Sequence, residues 1–381
     1  MKLIFISNFI NHHQVPISEE LFRLLKGGFT FVETIPMNDW LKKGGYTDFS
    51  SKSYVLKAWE NKENRQRALE LAQYADVVVF GGPEALPYVV FRAKNGDKLS
   101  FDVSERLLKR GWLNILSPRL LRYLWYYNRL FRHKHFYKLC ASAFASRDQY
   151  KLGTYRNRCY KWGYFTKVED LIVDAKSQDT VNDGLIRIMW CARFLDWKHP
   201  ELPVKLAARL KKKGYRFVID MFGSGEKLDI TKSLVSQLEV EDVVNFCGNM
   251  PNDKILNEMR RHDIFLFTSD KNEGWGAVLN ESMSNGCTVV GSDEIGSVPF
   301  LVEDGVNGCI FKSCDLDSLE EKVVYLIDHP EDRVKMAQNA YQTMRDVWSP
   351  KNAAQQLFNL INAIQKGDES LIPESGPCSR A

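Results

Sequence analysis

Two α/β domains, each built on a parallel sheet, are the architecture this sequence predicts, on three observations. The chain has 381 residues, more than one core usually serves, since domains commonly run about 100–200 residues. Short apolar runs alternate along it with longer amphipathic segments, the pattern of βα units. The runs are continuously apolar, as burial on both faces of a sheet requires.

In the first half, Lys2–Ser7 reads as a buried strand. Its apolar run is too short for the core of a signal peptide, and Asn8, Asn11, His12 and His13 follow at once. Ile17–Leu25 is a helix carrying Leu21, Leu24 and Leu25. A helical Arg65–Tyr74 leads into the strand Asp76–Phe80, and residues 139–146 (LCASAFAS) are a further buried strand.

The second half starts afresh. Strands are expected at Ile186–Cys191, Arg216–Phe222, Val243–Phe246, Ile264–Thr268 and Thr288–Gly291, and helices at Pro203–Lys213, Lys254–Arg260 and Val278–Ser284. The polar residues 173–183 (VDAKSQDTVND) are the linker, which bounds the first domain at 1–172 and opens the second at 184. Residues 366–381 carry Gly, Ser, Pro and charge with few apolar side chains, the composition of a disordered tail.

Apolar residues make up 44% and charged residues 26%, a soluble globular profile. The net charge of +4 is too small to argue for a nucleic-acid partner. The eight cysteines form no CxxC pair and have no His cluster beside them. They read as small core hydrophobes in a reducing compartment, and no metal site is expected. No apolar stretch approaches the ~18 residues of a membrane span.

The informative stretch runs from Ser269 to Met283 (SDKNEGWGAVLNESM), off the end of a strand and into a helix. In open α/β sheets, ligands bind at the carboxyl ends of strands. Gly274 and Gly276 let the backbone approach a ligand, and the helix start offers unpaired amides suited to phosphate. Glu273 and Glu281 can accept hydroxyls at two places on a ligand. Spacing alone proves little, because with 48 acidic residues pairs eight apart arise by chance. A second strand end adds Arg193 and Lys198, two cations able to neutralise a diphosphate without a metal ion. A third, Gly223-Ser224-Gly225, follows Phe222 and by itself is an ordinary turn.

Taken in order, these elements resemble glycosyltransferase family four, the retaining transferases of GT-B fold. Arg193 and Lys198 match its strand–Arg–loop–Lys element, Gly223-Ser224-Gly225-Glu226 its GxG segment, and Val244–Gly248 its strand-to-Gly element. Glu273-Gly274-Trp275-Gly276 through Glu281 matches the E-x7-E signature, and Gly286–Asp293 and Val302–Gly308 follow as the family has them. The match covers residues 186–312 well. It implies two Rossmann-like domains facing a cleft, with the second, 184–347, binding a nucleotide-sugar donor. Arg193 and Lys198 would hold the diphosphate, and Glu273 the transferred sugar. Glu281 would bond the ribose, and the amides of Trp275, Gly276, Ala277 and Val278 the sugar or phosphates. Gly223, Gly225 and Gly274 would open the backbone to the donor. No cofactor and no metal are implied, and no DxD-type cluster stands at a strand end. Residues 348–365, after Arg345–Pro350, look like the family's closing helix that returns to the first domain.

The first half matches thinly. Its first strand is followed by Ser7–Gln14 in place of the family's Gly-rich loop, and residues 76–111 hold no histidine of the kind many relatives carry. His12 or His13 could meet substrate, and Glu105 is the residue chosen to stand in on the acceptor side. Residues 107–138 contain eight Lys/Arg, no Asp or Glu, and interleaved Trp, Tyr, Phe and Leu. Such a segment suits an anionic membrane surface. The expected function is sugar transfer to a glycan or lipid-linked acceptor in polysaccharide or lipopolysaccharide assembly, in the cytoplasm on the inner face of the membrane. Two alternatives stay open: a nucleotide-sugar epimerase on the same fold, and a non-catalytic membrane-associated partner. The absence of GxGxxG after the first strand argues against a dehydrogenase.

Overall fold

The computed structural model describes residues 1–38, 47–109, 111–170 and 184–381. The linker expected at 173–183 lies outside them, as does Arg110. The chain divides into two compact units, Met1–Lys167 with Trp348–Ala381, and Val168–Val347.

The first unit carries a parallel seven-stranded sheet of β1 (Leu3–Ser7), β2 (Phe29–Glu33), β3 (Val55–Lys57), β4 (Val77–Gly81), β5 (Ser100–Ser104), β6 (Phe136–Cys140) and β7 (Cys159–Lys161), in the order β3-β2-β1-β4-β5-β6-β7. The central strands β1 and β4 are apolar apart from Ser7 and buried at Leu3, Ile4, Ile6, Val77, Val78 and Val79. The helix Pro350–Lys366 belongs to this unit and packs on the helix Val15–Leu24. Its limits are written locally: Ser349 caps it by accepting the Asn352 amide, Pro350 opens it, and Gly367 ends it at φ 69°.

Two expectations for this unit are corrected. The strand placed at 139–146 starts earlier, at Phe136, and Ala145–Lys151 is helical. The charged Lys138 hid its start, yet that side chain is 1% exposed and pairs with Asp102 on β5 at 2.9 Å. The Asp102 carboxylate also accepts from Tyr123 at 2.6 Å and Tyr155 at 3.2 Å, so a fully partnered charge sits inside the sheet's cover. The tail 366–381 is not disordered. Glu369–Leu371 form a 3-10 turn, and Arg380 bridges antiparallel to Tyr160 on the edge strand β7. Backbone bonds hold it: Lys161 N–H donates to Ser379, Cys378 to Lys161 and Ala381 to Cys159, at 2.8, 2.7 and 3.1 Å. Composition misses this because a covered strand edge needs amides, not apolar side chains.

The basic stretch forms a 3-10 segment, Gly111–Leu116, an α-helix, Pro118–Tyr126, and a π-turn, Tyr127–Phe131. Leu120, Tyr127 and Phe131 are buried, whereas Trp112, Leu113, Leu116, Leu121 and Trp125 are more than half exposed. No helix among the described residues is long and apolar enough to cross a membrane.

The second unit has a parallel six-stranded sheet of β8 (Ile186–Cys191), β9 (Phe217–Phe222), β10 (Val244–Gly248), β11 (Ile264–Phe267), β12 (Thr288–Ser292) and β13 (Cys309–Phe311), in the order β10-β9-β8-β11-β12-β13. The strand order reverses between β8 and β11, and loops leaving the carboxyl ends of that pair meet where such sheets bind ligands.

Candidate functional site

The site is built from the loops after β8, β9 and β11. Trp190, buried on β8, donates from its indole nitrogen to Thr268 just after β11, at 2.9 Å. The Thr268 hydroxyl donates to the carbonyl of Lys198 at 2.7 Å, and the Asp270 amide donates to that of Trp197 at 3.0 Å. The loop after β8 is therefore fastened to the loop after β11 on both sides of Lys198.

The glycines after β9 fasten it from the other side. Gly223 (φ 127°) lies so close to Ala192 that a Cβ there would come within 2.0 Å of the Ala192 carbonyl oxygen. A Cβ on Gly225 would reach 2.5 Å from that of Phe194. These two glycines let the β9 loop seat the Arg193 loop, with Phe194 N–H donating to Ser224 at 2.9 Å. Arg193 is exposed at the head of that loop.

Within this frame Lys198 Nζ meets Glu273 Oε2 in an ion pair whose side chains are both 11% exposed. The same carboxylate oxygen accepts from Ser269 Oγ at 3.0 Å. The ammonium lies 4.2 Å from the centroid of the Trp197 ring, which screens it from water. Gly276, at φ 82°, holds the turn into the helix Val278–Ser284, where a Cβ would fall 2.2 Å from Phe267 Cζ. Trp275 turns its side chain inward: it is fully buried and donates to Asn280 at 2.8 Å. Glu281, on the helix, is buried and accepts from Asn252 at 2.9 Å. Burial pushes its carboxyl up to about 7, against the downward pull of that bond.

The structure thus pairs Lys198 with Glu273, packs the Gly276 turn against Glu273 and Phe267, and sets Gly223 and Gly225 under the Arg193 loop. Glu105 belongs to the first unit, in the loop after β5, where it pairs with Lys109 at 3.1 Å and accepts from Tyr164 at 3.0 Å. Sequence reasoning passed over Ser269, Trp197 and Asn252. The first two stand beside residues already singled out. Asn252 lies 29 residues from Glu281, with no local signal to connect them.

Residues 174–343 match the family described as glycosyl transferases, group 1. Among curated proteins, the amylovoran biosynthesis glycosyltransferase AmsK of Erwinia amylovora is 26% identical over 194 residues, 50% of this chain and 47% of AmsK. The D-inositol 3-phosphate glycosyltransferase of Corynebacterium glutamicum is 25% identical over 181 residues, 46% of this chain and 43% of that protein. The matched stretch spans about half or less of each such relative. Among solved structures, HepE of Anabaena in complex with UDP superposes with a TM-score of 0.71 at 15% identity, covering 95% of this chain and all of HepE. That likeness shows the fold, two Rossmann-like units of the GT-B class. The profile match falls within the unit that carries Lys198 and Glu273, and this unit is a member of the glycosyl transferases group 1 family.

Proposed function

We propose that the protein is a glycosyltransferase that moves a sugar from a nucleotide-sugar donor to a glycan or lipid-linked glycan, in polysaccharide or lipopolysaccharide assembly. The observation that carries this reading is the Lys198–Glu273 pair, at the carboxyl ends of β8 and β11 in a group 1 glycosyl transferase unit. Breaking the bond between sugar and diphosphate puts negative charge on the leaving nucleotide and positive character on the sugar. Lys198, together with the exposed Arg193, meets the first without a metal ion, and Glu273 faces the sugar hydroxyls. Glu281 accepts from the ribose, and the turn from Gly274 to Val278 brings its backbone to the donor. Retention of configuration follows from the resemblance to family four. AmsK acts in amylovoran biosynthesis by its name, and a lipopolysaccharide outer core galactosyltransferase, WaaB, shares the fold at TM-score 0.68, which supports the polysaccharide setting.

The acceptor side is assigned to the first unit, with Glu105 as its polar residue. The exposed Trp112, Leu113, Leu116, Leu121 and Trp125, set among Arg119, Arg122 and Arg129, support docking on an anionic membrane surface. The test is a thermal-shift screen of nucleotide sugars, UDP-sugars first because HepE binds UDP, then transfer from the stabilising donor to a lipid-linked acceptor. A stabilising donor and a glycosylated product are expected. A donor isomerised with no acceptor present marks an epimerase instead, and no binding of any nucleotide sugar overturns the reading.

A further inference from the structure

Immediately after Lys198 the chain passes through His199, held in the left-handed region at φ 50°. Its two ring nitrogens have separate partners. Nδ1 is 2.9 Å from Glu201 Oε1, and Nε2 is 3.3 Å from the sulfur of Cys314. Cys314 arrives from the loop after β13, also left-handed, at φ 59°. That loop is pinned by the Ser313 amide donating to Asp293 at 2.9 Å and by Asp315 capping the next helix. A carboxylate and an imidazole two residues apart thus meet a thiol that lies 115 residues further along the chain. This is the geometry of an activated nucleophile: base within reach of the thiol, and a third group orienting the base. The other acid facing the ring is Asp270, with Oδ2 at 3.6 Å from Nε2. The bond from Glu201 raises the pKa of His199 above 6.5, favouring the protonated ring that taking up a thiol proton leaves behind. Cys314 is exposed, whereas the other seven cysteines are buried or half-buried.

We propose that Cys314 is a reactive thiol, activated by His199 and Glu201, that forms mixed disulfides with low-molecular-weight disulfides. In the step, His199 Nε2 takes the S–H proton and the Cys314 sulfur attacks one sulfur of the reagent. The reagent's S–S bond breaks as the new one forms, and its other half leaves as a thiolate. Cys314 is oxidised and the departing sulfur reduced, so no further oxidant is needed. The inference stands apart from the sugar-transfer reading.

The test uses the intact chain and dithiobis(nitrobenzoate), a disulfide that releases a coloured thiolate. At neutral pH one thiol should react in a fast phase. Cys314→Ser should abolish that phase and His199→Asn slow it about tenfold or more, Asn being a residue that tolerates a left-handed backbone. Above about pH 9 the His199→Asn rate should approach wild type, because ordinary thiols ionise unaided near ~8.5. A misfolded variant betrays itself by exposing several of the eight cysteines, and Glu201→Gln, with the same slowing expected, then takes its place. A fast phase that is missing, that survives Cys314→Ser, or that keeps its neutral-pH rate in a folded His199→Asn or Glu201→Gln overturns the inference.

Discussion

Lys198 and Glu273 lie 75 residues apart in the chain and meet as an ion pair between the loops that follow β8 and β11. Both side chains are 11% exposed, so the pair is largely shielded from solvent. Ser269 Oγ supplies the carboxylate with a second bond, so Glu273 is fixed before any ligand arrives.

The first prediction concerns that pair. Lys198→Ala removes the cation that offsets charge on the leaving diphosphate and should lower kcat about 10²–10³-fold, the usual cost of one charge-stabilising group. Glu273→Gln keeps the shape and a hydrogen bond to Ser269 while removing the charge, and should also lose most transfer. Steady-state kinetics with the donor found by thermal shift decide it. A kcat within threefold of wild type in either variant removes that residue from the chemistry.

Glu281 gives a pH dependence. Burial pushes its carboxyl up to about 7, so near neutrality it is divided between an acid and a carboxylate. Only the carboxylate accepts hydrogen bonds on both oxygens with full charge. Nucleotide affinity should therefore rise as pH climbs through about 7, by roughly fivefold, the difference between a charged and a neutral acceptor. Glu281→Gln should abolish the rise and bind at the weaker, acidic level. Calorimetric titration of UDP at several pH values reads this directly, and an equal slope in the variant would tie the titration to another group.

Much of this was legible beforehand, and the failures share one cause. β11 and β12 show as runs such as Ile264–Phe267 because every position is buried, β8 shows through its buried centre Ile188–Trp190, and Lys198 and Glu273 follow two of these strands closely. β5 escaped notice and β6 was placed too late because Asp102 and Lys138 interrupt them, and the two charges satisfy each other only across a strand pairing that no local pattern reveals. The Asn252–Glu281 bond and the His199–Cys314 contact are likewise relations between distant segments. The seated tail belongs to the same class, since its partner is a backbone edge.

Gly276 tests whether the turn into the helix is as constrained as its geometry implies. At φ 82°, with Phe267 Cζ 2.2 Å from where a Cβ would sit, Gly276→Ala combines backbone strain with a collision against a ring in the buried sheet. The expected loss of stability is about 1–3 kcal/mol, seen in denaturant unfolding. Donor binding should weaken as well, because a side chain at this positive φ strains the turn between Glu273 and Val278. A variant as stable as wild type would mean that the turn relaxes freely.

The membrane proposal rests on side chains whose removal should cost the fold little. Leu113 and Leu116 are 73% and 74% exposed, so Leu113→Ser with Leu116→Ser should leave the melting temperature within about a degree. Both leucines would lose their burial in the headgroup region, and flotation with anionic vesicles should fall about tenfold. Wild-type binding should also fall with salt, since the neighbouring arginines act through a screened potential. Equal recovery with neutral and anionic vesicles would count against the surface.

The tail offers a test of edge protection. Residues 376–381 lend β7 three backbone bonds, bury Cys378 completely, and place Arg380 between Glu369, at 2.7 Å, and the Tyr160 ring, at 5.0 Å. Deleting them should cost about 1–3 kcal/mol, near 1 kcal/mol for each net hydrogen bond, or roughly 2–12 °C in a unit of this size. The exposed Arg380–Glu369 pair adds little to that sum. The larger consequence is geometric. Without the tail, β7 presents unpaired amides and carbonyls at the edge of a seven-stranded sheet, a template for pairing with another copy. Scanning calorimetry should show the loss, and size-exclusion chromatography a concentration-dependent shift to larger species. A truncated chain that melts and elutes like wild type would mean that β7 is protected by its own shortness, and that the tail rests on the sheet without supporting it.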